Sequence, residues 1–294
     1  MKKSQTVLGV DLGGTTLRAA LFIDGTSVAV ATRGSALTPE ERLNPATVML
    51  ELVHRVSAGR RIDAVCIAAT GPVDVVNHRI NNPYTLPDWS GSSWPEVLSD
   101  ALEAPVLMEN DTVAAAVGEF RDGAGRGAEV MCMVTIGTGI GVAVIGAESS
   151  PYRGAGFFHP EAGHLLISDR GDRCYCGFIG CWESLCSGTA LSSHWKLQTG
   201  RGMTPEVDWD GYAEVFARGI VNLNRVYVPD VIVLGGGVSE SFDSFSPALM
   251  AALGARDAMG PASQPRIVKT QLEQPGTSGA GHLAMDFLAS RERQ

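Results

Sequence analysis

The sequence predicts an α/β protein built from two similar lobes, on three observations: strand-like runs alternate with helical periodicity, one strand, glycine turn, strand device occurs twice, and no low-complexity linker interrupts the chain. With 294 residues, 45% of them hydrophobic, there is enough chain to bury two cores. Val7 to Val10 reads as the first strand. A turn follows at Asp11-Leu-Gly13-Gly14-Thr15-Thr16, then a return strand over Leu17 to Phe22 and an Asp24-Gly25 hairpin signal into Ser27 to Ala31. Ala46 to Val56 carries apolar residues at helical spacing, Ala64 to Ala69 is a buried strand, Trp94 to Leu102 a helix and Val106 to Met108 a strand. Glu109-Asn110-Asp111-Thr112 then places polar capping residues before the alanine-rich helix that opens at Val113. A second glycine turn, Thr135-Ile-Gly137-Thr138-Gly139-Ile-Gly141, returns through Val142 to Ile145. Tyr212 to Val226 is helical, Val231 to Leu234 is a strand running into Gly235-Gly236-Gly237, and Ile267 to Thr270 is a strand before a last helix near Gly281 to Ala289. Glycines and charges thicken between Gly118 and Gly127. The predicted division is therefore a small lobe over residues 1–120, completed by a C-terminal helix within 281–294, and a large lobe over 121–280.

Composition excludes several classes. A net charge of −9 disfavours nucleic acid, whose phosphates call for clustered Lys and Arg, and basic pairs such as Arg60-Arg61 are short. No run approaches the roughly 18 apolar residues of a membrane span, and no signal peptide is readable, so the cytoplasm is the expected compartment. Cys66 and Cys132 fall inside apolar strands and read as core.

Three other cysteines form the densest chemical signal in the chain. Glu161-Ala-Gly-His164 is followed by Cys174-Tyr-Cys176-Gly-Phe-Ile-Gly-Cys181-Trp-Glu183, so one imidazole and three thiolates can close a tetrahedral shell around zinc. Gly177 and Gly180 supply the tight turn a chelating loop needs. A filled shell leaves no position for water, so such a zinc is structural, and the chemistry belongs to the polar groups it holds, Glu161 and Glu183 first. Neither glycine turn has a P-loop lysine or leads from strand to helix as a dinucleotide fingerprint does. Backbone N–H groups and threonine hydroxyls at both tips nonetheless suit a phosphate chain. At the helix mouth two readings stand: Asn110 or Asp111 caps the helix, or Asp111 is a catalytic base kept ionised by the helix terminus.

Taken in order, the turn at Asp11 to Thr16, the turn at Thr135 to Gly141, Glu161-Ala-Gly-His164, the Cys174 to Glu183 run and Leu234-Gly-Gly-Gly-Val238 resemble the ROK family of sugar kinases and sugar-responsive repressors, within the actin-like (ribonuclease H-like) ATPase superfamily. The resemblance spans nearly the whole chain. It implies an ATP-dependent hexose kinase, glucokinase-like, with ATP and an aldohexose held between lobes that close on binding. It implies that Asp11 helps to hold Mg²⁺, that Gly13, Gly14, Thr15 and Thr16 approach the phosphates, and that Gly137, Thr138 and Gly139 grip them, with Thr138 nearest the γ-phosphate. Gly235, Gly236 and Gly237 are expected against the adenosine. Asp111 is the implied base, and Gly71, Asn82, Asn110, Asp111, Glu161, His164 and Glu183 the implied sugar contacts, with His164 also joining Cys174, Cys176 and Cys181 on zinc through its other ring nitrogen. Stripping the metal is expected to weaken sugar binding before nucleotide binding. The resemblance also implies a homodimer. The segment Asn81 to Trp89 is longer than the compact loop of many relatives, which leaves glucose, mannose, fructose, allose and N-acylated amino sugars open. A non-catalytic sugar sensor is the alternative; with only ten residues before Asp11, no DNA-binding domain is expected.

Overall fold

The computed structural model describes residues 4–91, 94–146, 150–196, 207–254 and 264–293. The chain falls into two compact units, 1–123 with 153–158 and 272–294, and 124–152 with 159–271. The sequence places the change at 120/121 and returns only 281–294 to the first lobe; the first unit keeps the chain to Gly123, takes it back from Leu272 and adds Arg153–Phe158.

The first unit holds a five-stranded sheet of order β3-β2-β1-β4-β7. Its strands are β1 (Thr6–Leu12), β2 (Thr16–Ile23), β3 (Thr26–Gly34), β4 (Ala64–Ala69) and β7 (Val106–Asn110), with a small hairpin, β5 (Val73–Asp74) and β6 (Arg79–Ile80), between the last two in sequence. β1 and β2 form an antiparallel hairpin, whereas β4 runs parallel to both β1 and β7. Strand alternation sorts β1 onto two cores. Leu8, Val10 and Leu12 join Met49, Leu52, Val53 and Val56 from α1 (Pro45–Ser57) on one face. Val7 joins Ala114, Ala280 and Ala284 on the other. The residues of α1 recur at helical spacing, with Pro45 in its first turn.

The opposite face is covered by α3 (Asp111–Asp122) and α8 (Pro275–Arg291), both unusually rich in small residues. α8 begins six residues before the predicted Gly281. Gly276, Gly279 and Gly281 weaken its helical signal, yet they are what lets the backbones meet. A Cβ at Gly9 would lie 2.6 Å from the Gly281 nitrogen, one at Gly118 would lie 2.5 Å from the Pro275 oxygen, and one at Gly279 would land on the Ala114 carbonyl. Tertiary packing here outweighs the ~1 kcal/mol per glycine that an isolated helix loses. Gly279→Ala is accordingly expected to cost about 3 kcal/mol, read as a lower denaturation midpoint at unchanged m-value; a midpoint equal to the parent's would contradict the packing.

The second unit holds a four-stranded sheet of order β11-β10-β8-β9. β8 (Met131–Ile136) and β9 (Ile140–Ile145) are the antiparallel hairpin, while β10 (Val231–Gly235) lies parallel to both β8 and β11 (Arg266–Lys269). α6 (Trp209–Tyr227) is capped by the Asp208 side chain, which accepts from Gly211 N at 2.9 Å. Tyr212 and Phe216 of α6 stack, and Phe245 of α7 (Phe242–Gly254) packs edge-on against both. The sequence reading did not include α7, whose interior Pro247 interrupts the pattern. Two short helices after the cysteine loop, α4 (Trp182–Cys186) and α5 (Gly188–His194), were likewise not expected. Among the described residues no helix is long and apolar enough to cross a membrane.

Candidate active site and metal loop

At one end of the first sheet, β4 runs into Thr70-Gly71 and β7 into α3. Asn110 is the N-cap of α3: its Oδ1 accepts from the N–H groups of Thr112 at 2.9 Å and Val113 at 3.2 Å. Capping therefore falls to Asn110, and Asp111 is already the first helical residue. Thr70 Oγ1 donates to Asp111 Oδ2 at 2.9 Å, and Thr112 N donates to Oδ1 at 2.7 Å. Gly71 lies against the cap, where a Cβ would come within 2.8 Å of Asn110 Nδ2. Beneath the cap, Glu109 Oε1 accepts from Asn110 N at 2.7 Å while its other oxygen pairs with Arg153. Thr70, Glu109 and Arg153 were not among the predicted site residues. Thr70 was findable as the first polar residue past an apolar strand, but the Arg153 pairing joins positions far apart in the chain.

Burial dominates the electrostatics here. It raises the pKa of Asp111, against the ionisation that the helix terminus favours, and the Thr70 and Thr112 hydrogen bonds offset this only in part. Asp11, at the end of β1 and against Gly276, is pushed up to about 7 by burial first and by the Asp111 charge second, with Arg18 opposing. A buried acid with a raised folded-state pKa binds its proton more tightly folded than unfolded. Its stabilisation is whole below the unfolded value of 3.8 and is lost as pH rises through about 7. Ligand-free protein is thus expected to lose on the order of 4 kcal/mol of stability from this group between about pH 4 and pH 8. Asp11→Asn should flatten that slope in thermal melts, and an unchanged slope would remove Asp11 as its source.

Asn82 is buried, its Nδ2 donates to Thr70 O at 3.2 Å, Gly71 O at 2.6 Å and the Thr85 hydroxyl, and its Oδ1 accepts from Tyr84 N at 3.2 Å and Thr85 N at 3.0 Å. These bonds brace the Thr70-Gly71 loop from inside.

In the second unit His164, Cys174, Cys176 and Cys181 bring one ligand atom each to within 4.8 Å of one another. Cys174 Sγ lies 3.4 Å from His164 Nδ1, and Cys176 Sγ lies 3.4 Å from Cys181 Sγ. Three sulfurs and one nitrogen at such spacing fit a four-coordinate zinc, with Nδ1 as the imidazole donor. The remaining ring nitrogen, Nε2, lies 3.0 Å from the Tyr175 hydroxyl. Tyr175 also hydrogen-bonds Glu183. Glu161 opens the short turn Ala162–His164 and sits 3.7 Å from His159.

Each phosphate turn closes on itself. Gly13 N donates to Thr16 O, and Gly137 N to Gly139 O, both at 2.9 Å, so these two N–H groups hold the turns and are not offered to phosphate. Gly14, Thr15 and Thr16 complete the first turn, with Thr15 and Gly14 exposed. The second turn borders a cavity of about 420 Å³ lined by Gly137, Thr138, Gly188, Thr189, Ser192, Gly237 and Val238. Gly237 reaches this cavity, whereas Gly235 and Gly236 answer to packing. A Cβ at Gly235 would meet Met133 Cε at 2.5 Å, and one at Gly236 the Ile136 oxygen at 2.6 Å. Gly188, Thr189 and Ser192 went unread because a short helix after the cysteine loop carries no strong period.

Sheet order, paired glycine-threonine hairpins and buried carboxylates at a strand end define an α/β protein of the actin-like ATPase class. A family model described as the ROK family matches residues 7–286. A glucokinase from Streptomyces coelicolor is 30% identical over 271 residues, covering 80% of this chain and 83% of its own. Among solved structures, a ROK hexokinase from Thermus thermophilus superposes with TM-score 0.82 at 28% identity, covering 97% of this chain and all of its own. A ROK family glucokinase from Streptomyces griseus, in complex with glucose and AMPPNP, does so with TM-score 0.76 at 26% identity, over 96% and 99% of the two chains. The chain belongs to the ROK family.

Proposed function

We propose that this protein is an ATP-dependent hexose kinase that transfers the γ-phosphoryl group of ATP to the 6-hydroxyl of an aldohexose, glucose first. The observation that carries the reading is Asp111: a half-buried carboxylate at the mouth of α3, oriented by the Thr70 hydroxyl and backed by the Asn110 cap. Phosphoryl transfer asks the protein for an aligned hydroxyl, neutralised phosphate charge and a carboxylate to receive one proton. Asp111 Oδ2 takes the proton of the 6-hydroxyl. The raised pKa of Asp111 favours that transfer, because the proton acceptor is a stronger base than a surface aspartate. Asn110, Glu161 and Glu183 accept or donate to the ring hydroxyls. His164 holds the zinc loop that carries Glu161 and Glu183, and Gly71 lets the sugar approach the backbone.

ATP is assigned to the glycine-threonine turns, with Thr138 and Gly237 at the cavity. Mg²⁺ fits Asp11, a hard oxygen donor at the end of β1, and bound there it would neutralise phosphate charge. The relatives support this reading, since the Streptomyces griseus neighbour was solved with glucose and AMPPNP. The test is ADP formation with ATP, Mg²⁺ and glucose, mannose, fructose, allose or an N-acylated amino sugar, each at equal subsaturating concentration. ADP is expected only when a hexose is present, fastest with glucose. Silence with every sugar would instead favour a sugar-binding protein without catalysis.

A further inference from the structure

We infer that Glu183 positions the second phosphate turn as well as contacting sugar, so that binding of hexose and of nucleotide is coupled through this one carboxylate. The inference rests on the kinase reading above and deepens it. Glu183 stands in the first turn of α4, directly after the last cysteine of the chelating loop. Its Oε2 accepts from Ile140 N at 2.8 Å. Ile140 follows Thr138-Gly139, and the carboxylate presses on Gly139 so closely that a Cβ there would sit 3.0 Å from Glu183 Cδ. Gly139 is therefore glycine for Glu183, whatever phosphate may also require.

The same stretch of chain is held from its other sides. The Gly163 of Glu161-Ala-Gly-His164 packs directly on the Ile140 carbonyl, leaving no room for a side chain. Gly188 N donates to Gly137 O at 2.7 Å, and Thr189 Oγ1 to Thr138 O at 2.9 Å. Both motifs that the sequence assigns to sugar thus abut the turn that borders the 420 Å³ cavity. Glu183 is the charged member of this brace, and it also hydrogen-bonds the Tyr175 hydroxyl, whose other partner is His164 Nε2. A sugar hydroxyl arriving at Glu183 shares this carboxylate with the Ile140 N–H. That contact alters the carboxylate that fixes the Ile140 N–H, and by linkage whatever sugar does to the turn, nucleotide does to the sugar site.

The experiment is calorimetric titration of Mg²⁺ and AMPPNP into the full-length, zinc-loaded protein without any hexose. Glu183→Ala, which leaves the Ile140 N–H without its acceptor, is expected to weaken AMPPNP binding about tenfold. Glu183→Gln, which keeps an acceptor oxygen, should recover affinity to within about threefold, and Asp210→Asn, at an exposed position in the first turn of α6, should match the parent. A residue that served only as a sugar contact would leave all three affinities equal, and that result overturns the inference. A second arm needs no variant: the hexose with the fastest turnover should tighten AMPPNP binding to the unaltered protein by about threefold or more, and an unchanged affinity overturns the coupling. If the unaltered protein binds no AMPPNP at all, the kinase reading itself fails and takes this inference with it.

Discussion

Asp111→Asn is expected to lower kcat for hexose-dependent ADP formation by about 10³-fold while hexose affinity stays within about threefold. The asparagine keeps the shape of the site: its one oxygen can accept from the Thr112 N–H while its NH₂ donates to the Thr70 hydroxyl oxygen, so the helix mouth should not move. What it lacks is a place for the proton of the attacking hydroxyl. The loss cannot be laid to unfolding either, because Asp111 is a half-buried carboxylate whose ionisation the fold already resists, and neutralising it relieves that cost. Rates from steady-state assays and hexose affinity from calorimetry separate the outcomes. Normal turnover removes Asp111 from the mechanism, and equal losses in rate and affinity reduce it to a binding residue.

Removing zinc is the second large effect, and the structure changes its expected form. The sequence reading has metal loss weakening sugar binding first. With Glu183 two residues after Cys181 and holding Ile140 N, and with α5 bonded to Gly137 and Thr138, a loop released from its metal is expected to loosen the second glycine turn as well. Chelated protein, or Cys181→Ala, is expected to lose hexose affinity by at least about tenfold and AMPPNP affinity in the same titration of metal content. The buried Cys181 is the sharper probe, since it also anchors the start of α4. Demonstrably metal-free protein that binds both ligands normally would make the cluster a staple with no bearing on function.

Strands and phosphate turns were legible because their signals are local. Ala64 to Ala69 is apolar without interruption and emerges as a fully buried central strand with those same ends. The cysteine loop was legible for a related reason: ligand chemistry admits few residue types, and their spacing is set by the turn between them. What escaped depends on neighbours distant in sequence. α8 was read short because its glycines count against a helix until Gly9, Gly118 and Ala114 are known to lie against them. Asn82 sits in a loop whose composition suggests a ligand contact, and only the hydrogen bonds to Thr70, Gly71, Tyr84 and Thr85 show that it braces the Thr70-Gly71 loop. Asp111 shows the same limit in electrostatic form. A helix start visible in sequence argues for a lowered aspartate pKa, while the burial that raises it comes from the packed strand ends around it.

The most direct test is to identify the product. Protein incubated with equimolar ATP, Mg²⁺ and carbon-13 glucose, followed by phosphorus and carbon NMR, should give ADP and sugar phosphate in equal amounts, with the new phosphorus coupled to carbon 6 of glucose. ADP released without a sugar phosphate, or a phosphorus coupled to any other carbon, would contradict the assignment of Asp111 as the acceptor of the 6-hydroxyl proton.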